Sequence, residues 1–210
     1  MKLPRLHLVT SDEVLGRAGF VDAAARVIEA CGPGAAVHLR GHGLSGGALF
    51  ALAERLLPVA ARAGAAVLVN DRADVALACG AAGVQLGRRS IPVAEARRLL
   101  GSDALIGYSA HSAAEVLDAE RAGANFVLLG TIFPTTSHPG EPGAGPDLVR
   151  ATVQGARAPI VAIGGITPER AGAVLEAGAY GVAVLGGVWN AADPAEAARR
   201  YLAVLEEGTE

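Results

Sequence analysis

Two hydrophobic rhythms alternate along the whole chain. Short continuous apolar runs, bounded by glycine or polar turns, are each followed by a stretch in which apolar residues recur at helical spacing. The runs are Leu6 to Thr10, Ala36 to Arg40, Ala65 to Val69, Gly83 to Leu86, Leu105 to Tyr108, Phe126 to Leu129, Ile160 to Ile163 and Gly181 to Leu185. The helical stretches are Val14 to Ala30, Ala48 to Arg62, a short one through Cys79, Pro92 to Leu100, Ala113 to Ala122, one around Asp147 to Val153, and two opening at Thr167-Pro168 and Asp193-Pro194. Ser112 and Glu115 have the S-x-x-E spacing of a capping box, which starts a helix at Ser112. Proline after Thr167 and Asp193 suits the first helical position. Strands apolar on both faces need helices on both sides, so the sheet is parallel. About eight such units in 210 residues predict a closed (β/α)8 TIM barrel, an α/β fold, as one domain over residues 1–210.

A barrel gathers the residues that follow its strands on one rim. Thr10, His38, Arg40, Asn70, Asp71, Gln85, Ser109, His111, Thr135, Gly165 and Gly186 are expected to share that neighbourhood. His111 stands just before the Ser112 cap, where an imidazole can take and return a proton near neutral pH. An ordinary exposed loop histidine fits the same stretch. His38 and Arg40 alternate with apolar residues, so both point the same way, and an inward guanidinium needs an anionic ligand or a partner such as Asp71. Asn70-Asp71-Arg72 can hold a metal through Asp71, orient a polar ligand, or cap the next helix. Gly164-Gly165 and Gly186-Gly187 follow the seventh and eighth strands, where glycines let backbone N–H groups approach a phosphate. Tight turns are the competing explanation. Asn125 reads as a polar residue at a strand start and Trp189 as a packing residue.

Composition removes several function classes. The net charge of -3 supplies no basic field, which argues against nucleic acid as a partner. No apolar run reaches the roughly 20 residues of a membrane span, and the N-terminal Met1-Lys-Leu-Pro-Arg-Leu is too short in apolar residues for a signal peptide. A soluble cytoplasmic protein is expected, with Cys31 and Cys79 as reduced, packed thiols.

Several motifs carry a resemblance over nearly the whole chain. They are Val69-Asn70-Asp71-Arg72-Ala-Asp-Val-Ala76, Gly83-Val-Gln-Leu-Gly87, Gly107-Tyr-Ser-Ala-His-Ser112, Ile132-Phe-Pro-Thr135, Val161-Ala-Ile-Gly-Gly-Ile166 and Gly178-Ala-Tyr-Gly-Val-Ala183. Together they resemble the thiamine phosphate synthase and thiazole tautomerase (TenI-type) superfamily. For the synthase branch the resemblance implies an inward Gln-x-Arg-x-Lys on the second strand, two aspartates on Mg2+, and a Thr-x-Thr-Lys loop. The corresponding positions here are His38-Leu-Arg40-Gly-His42, Asp71 with Ser90, and Thr135-Thr-Ser137-His138. A departing pyrophosphate needs cationic charge and usually metal. One metal ligand and both lysines are missing, which favours the tautomerase branch.

The resemblance therefore implies a cofactor-free isomerase of thiamine biosynthesis that aromatises a carboxylated dihydrothiazole phosphate. His111 would be its acid/base. His38, Arg40, Asn70, Gln85, Ser109 and Thr135 would orient the substrate, and Gly164, Gly165, Gly186 and Gly187 would bind its phosphate. The alternatives are a divergent synthase, with Mg2+ on Asp71 and His42 and His138 in place of lysines, and a non-catalytic phosphate-ligand-binding regulator. The implied partner is a small phosphorylated thiazole, with neither nucleic acid nor membrane involved; a homo-oligomer is left open.

Overall fold

Eight parallel strands close into a barrel in the computed structural model, which describes residues 2–135, 140 and 142–207. The strands are β1 (Leu6–Val9), β2 (Ala35–Leu39), β3 (Ala66–Asn70), β4 (Gly83–Leu86), β5 (Leu105–Ala110), β6 (Phe126–Leu129), β7 (Ile160–Ile163) and β8 (Gly181–Val184). Each pairs with the next in sequence order, and β8 closes on β1. The described helices are α1 (Asp12–Leu15), α2 (Phe20–Cys31), α3 (Gly46–Ala63), α4 (Ala73–Cys79), α5 (Val93–Leu100), α6 (Ala113–Arg121), α7 (Pro146–Val153), α8 (Pro168–Glu176), α9 (Gly186–Trp189) and α10 (Pro194–Glu207). The expected (β/α)8 TIM barrel is the observed architecture.

Side-chain period two divides each strand between two cores. Leu6, Leu8, Val37, Leu39, Val67, Val69, Val84, Leu86, Ile106, Val127 and Leu129 pack outward against the helices. Val9, Ala36, Ala66, Leu68, Phe126, Leu128, Val161 and Ala183 fill the interior. Small inner residues make room for the few large ones. A Cβ on Gly107 would overlap both the Gln85 amide oxygen and the Phe126 ring, so this glycine leaves space for side chains at the centre of the barrel. Among the described residues no helix is long and apolar enough to cross a membrane.

Two differences from the sequence reading have local causes. The single helix expected from Val14 to Ala30 is split into α1 and α2, because Ser11 caps α1 through Val14 N–H (3.3 Å) and Gly19 restarts the chain with φ of 78°. The Gly186-Gly187 turn is instead the start of the one-turn helix α9. This helix carries the buried Trp189, whose indole N–H donates to the Val9 carbonyl at 2.9 Å and ties the β8 end to β1. Ser112 caps α6 as expected, accepting from Glu115 N–H at 3.3 Å. The Glu115 carboxylate reaches His111 N–H at 2.7 Å rather than the cap residue's own N–H, so the box closes one residue early.

Candidate active site

Four of the expected site residues meet inside the carboxyl end of the barrel. His38 is next to last on β2, Asn70 ends β3, Gln85 is next to last on β4, and Ser109 is next to last on β5. Asn70 and Gln85 are register partners. Gln85 donates its amide N–H to the Ser109 hydroxyl at 2.9 Å, leaving Gln85 Oε1 buried without a donor among the described residues. Asn70 lies against the His38 ring, but among the described residues Asn70 Oδ1 and His38 Nδ1 both lack a hydrogen-bond partner. Buried acceptors without donors are rare in folded proteins and point to a water or ligand that supplies them.

His38 has a neighbour that the sequence reading did not single out. Its Nε2 lies 2.8 Å from Nδ1 of His7 on β1, and His7 Nε2 lies 3.0 Å from the Pro4 carbonyl. Both rings are fully buried beside Phe126, with the His7 and Phe126 centroids 4.9 Å apart. Burial lowers the pKa of His7 to about 4, against a smaller opposing effect of the Pro4 carbonyl. Burial, then the neighbouring His7, hold His38 well below the ordinary histidine range, and Asn70 opposes them. Both imidazoles are therefore neutral at physiological pH. The available signal for His7 was phase: on β1 it shares the inward parity of Val9.

A second group lies on the rim of β2 to β4. Arg40 follows β2, its backbone N–H donating to Thr10 Oγ1 at 2.9 Å, while the Thr10 hydroxyl donates to the His38 carbonyl at 2.9 Å. The Arg40 guanidinium forms no ion pair among the described residues, so the internal pair with Asp71 considered from sequence is absent. Asp71 is the described non-glycine residue with positive φ, at 63°. Aspartate tolerates this region better than most residues, and such conformations cluster at functional sites. Asp71 N–H donates to the Gln85 carbonyl at 2.9 Å, and Oδ1 accepts a short hydrogen bond from the Ser90 hydroxyl. Ser90 Oγ is itself fixed by Gly87 N–H at 2.8 Å. Asp71 Oδ2 lies 3.6 Å from His42 Nδ1. The loop carrying His42 is held from β1's side by Asp12, which accepts from His42 N–H at 3.2 Å and Gly43 N–H at 2.8 Å. The capping role considered for Asn70 and Asp71 is not observed: Arg72 is the N-cap of α4 and makes no side-chain cap bond.

The remaining expected residues are spread along the rim. His111 is exposed, and its Nδ1 lies 2.6 Å from the Gly130 carbonyl. A carbonyl only accepts, so Nδ1 carries the proton and Nε2 is bare when the ring is neutral. The ring opens into a cavity of about 640 Å³ lined by Arg88, Thr131, Gly143 and Leu148, among others. None of the paired glycines lines that cavity. Gly164 and Gly165, with φ of 101° and 61°, press against the segment Thr131 to Pro134, where a Cβ on either would collide. A Cβ on Gly187 would collide with Tyr201. Tight packing thus accounts for these three glycines before any ligand is considered. Thr135 is half-buried in the same β6–α7 connection, and His138 lies outside the described residues. Asn125 does more than begin a strand: its Oδ1 accepts from Ile106 N–H at 2.8 Å and from Arg97 at 2.5 Å, tying β5 to β6.

A family profile described as Thiamine monophosphate synthase matches residues 6–188. Thiamine-phosphate synthase of Chlorobium luteolum is 45% identical over 170 residues, covering 80% of this chain and 80% of its own. A putative thiamine-phosphate synthase of Geobacter sulfurreducens is 40% identical over 207 residues, 97% of this chain and 95% of its own. Among solved structures, thiamine phosphate pyrophosphorylase from Pyrococcus furiosus aligns with a TM-score of 0.85 at 31% identity, covering 98% of this chain and 97% of that one. These relatives overturn the expectation of a thiazole tautomerase, and with it that of an isomerase. The error lay in reading positions 42 and 90 one at a time, as lost charge. In the folded chain both side chains turn to Asp71, so the departures alter the surroundings of that carboxylate without dispersing them.

Proposed function

The chain belongs to the thiamine monophosphate synthase family, and on that premise we propose that it is a transferase joining a pyrimidine pyrophosphate to a thiazole phosphate, with thiamine phosphate and pyrophosphate as products. The observation that carries this reading is the pairing of an uncommitted cation and a strained carboxylate on neighbouring strand ends. Arg40 directly follows β2 and has no ion pair among the described residues, and Asp71, held in the left-handed region, directly follows the neighbouring strand β3. A guanidinium at a barrel mouth suits a pyrophosphate, which it can bind through two parallel hydrogen bonds.

The donor set fits Mg2+ in a limited way. Among the described residues no three His, Cys, Asp or Glu side chains cluster as a metal site. Mg2+ is commonly held by one or two carboxylates together with substrate phosphate oxygens. Asp71 is one such carboxylate, with the Ser90 hydroxyl beside it, so the residues suit an ion that arrives with pyrophosphate rather than a resident one. When bound there, Mg2+ would neutralise charge developing on the departing group.

The chain's own residues do the rest. Arg40 binds the pyrophosphate, and His42, steadied by Asp12, adds a donor at the edge of Asp71. His38, Asn70, Gln85 and Ser109 line the interior where the flat pyrimidine would sit. The thiazole phosphate is assigned to the β7 and β8 ends, at Gly164, Gly165, Gly186 and Gly187, because glycine turns there would let backbone N–H groups approach an anion. Mixing the protein with hydroxymethylpyrimidine pyrophosphate, thiazole phosphate and Mg2+ is expected to give thiamine phosphate. Absence of product under conditions in which both substrates bind refutes the transferase reading and favours a binding protein.

Position 90 offers a gain-of-function check. Ser90→Asp places a second carboxylate next to Asp71 and is expected to lower the Mg2+ concentration for half-maximal activity by about tenfold, since metal affinity rises with ligand charge. An unchanged Mg2+ titration would remove position 90 from the metal's surroundings.

A further inference from the structure

The hydrogen positions along the buried histidine pair follow from a single fixed point. The Pro4 carbonyl can only accept, so His7 Nε2, 3.0 Å away, carries the proton. A neutral His7 then has a bare Nδ1. His38 Nε2, 2.8 Å from it, must be the donor, which leaves His38 Nδ1 bare in turn. That atom is buried and has no donor among the described residues, like Asn70 Oδ1 beside it and Gln85 Oε1 on the next strand. The reverse chain would set a bare His7 Nε2 against the Pro4 carbonyl, two acceptors facing each other in a fully buried place.

From this we infer that His7 is a positioning residue: by accepting the Nε2–H of His38 it fixes that ring's tautomer, so that His38 Nδ1 joins Asn70 Oδ1 and Gln85 Oε1 in an acceptor cluster at the barrel mouth. The cluster takes a ligand group rich in N–H donors, such as the amino group of a heterocycle, and disfavours a carbonyl in the same place. A histidine free to switch tautomers would lose this discrimination, because Nδ1–H would donate to Asn70 Oδ1 and satisfy both. The inference rests on the proposed transferase only in taking the pyrimidine pyrophosphate as the ligand. The tautomer assignment stands apart from it.

The test uses the full chain with 15N-labelled histidine. Long-range 1H–15N spectra near neutral pH are expected to show the Nε2–H tautomer at both His7 and His38, and to show the His38 Nδ1 resonance moving when hydroxymethylpyrimidine pyrophosphate is added. His7→Phe removes the acceptor and is expected to release His38 toward the Nδ1–H form. His7→Gln retains an acceptor oxygen and is expected to restore the original pattern. In steady-state assays His7→Phe should raise KM for the pyrimidine pyrophosphate about tenfold, the size of one hydrogen bond, with kcat within about twofold, and His7→Gln should recover KM. An Nδ1–H tautomer at His38 in the unsubstituted chain overturns the inference, and so does an unchanged His38 tautomer in His7→Phe. Should His7→Phe fail to fold, the spectrum of the unsubstituted chain still decides. Absent turnover with the expected tautomers would refute the transferase and leave the positioning role supported.

Discussion

Replacing Asp71 with asparagine is expected to lower thiamine phosphate formation by roughly 10²–10³-fold, the range seen when a group stabilising transition-state charge is removed. The substitution isolates charge from shape. Asparagine is nearly isosteric and visits the left-handed region as readily as aspartate, so the backbone at φ of 63° is retained. Its side-chain oxygen can still accept from the Ser90 hydroxyl, and the Gln85 carbonyl still receives the backbone N–H. Unfolding free energy should therefore stay within about 0.5 kcal/mol, as for substitutions that touch no packed feature. What disappears is the negative charge facing His42 and any Mg2+ that accompanies pyrophosphate. The loss should appear in kcat and as a shift of the Mg2+ titration to higher concentration. Turnover within about threefold of the unsubstituted protein, in a folded Asp71→Asn chain, would remove Asp71 from the reaction.

The barrel was legible because its strands are apolar on both faces. Phe126 to Leu129 and Ile160 to Ile163 leave no polar side for water, and every helix between strands has a turn residue or cap to mark it. The break between α1 and α2 was not, since Gly16 and Gly19 interrupt an apolar periodicity that otherwise continues. The inward direction of His38 followed from period two alone. The meaning of His7 did not, because it depends on β1 and β2 lying in a register that pairs Val9 with His38 and so puts His7 one inward step away. No local pattern carries that offset. The same limit governed the branch of the family. Loss of a lysine at 42 and an aspartate at 90 is plain in the sequence. That the replacements still meet at Asp71 is a property of three loops, after β2, β3 and β4, brought together by the barrel. Glycine pairs were also ambiguous, and the packing of Gly164 and Gly165 on Thr131 to Pro134 shows why: the absence of a Cβ serves chain contact and would serve a phosphate equally.

The buried histidine pair also makes the fold sensitive to mild acid, and the sign can be worked through. An unfolded histidine titrates near 6.5, whereas His7 in the folded chain is held down to about 4 by burial. Between those values the unfolded chain binds the extra proton, so stability falls as pH falls. The contribution is complete above about pH 6.5 and gone below about pH 4. At about 1.36 kcal/mol per pH unit the whole window is worth roughly 3 kcal/mol from His7, of which about 2 is lost by pH 5. No discount for solvent applies, because the ring is fully buried. His38 acts in the same direction. The depressed carboxylates of Glu115, Glu120 and Glu169 start from an ordinary value of 4.5 and act mainly below it, so the interval from pH 7 to 5 reports chiefly on histidine. Urea unfolding across that interval is expected to show stability falling by at least about 2 kcal/mol, and His7→Phe, whatever its own stability, should show a slope shallower by close to one proton. A flat profile from pH 7 to 5 would mean that His7 and His38 accept protons in the folded barrel, and a charged pair cannot present a bare Nδ1 to a ligand.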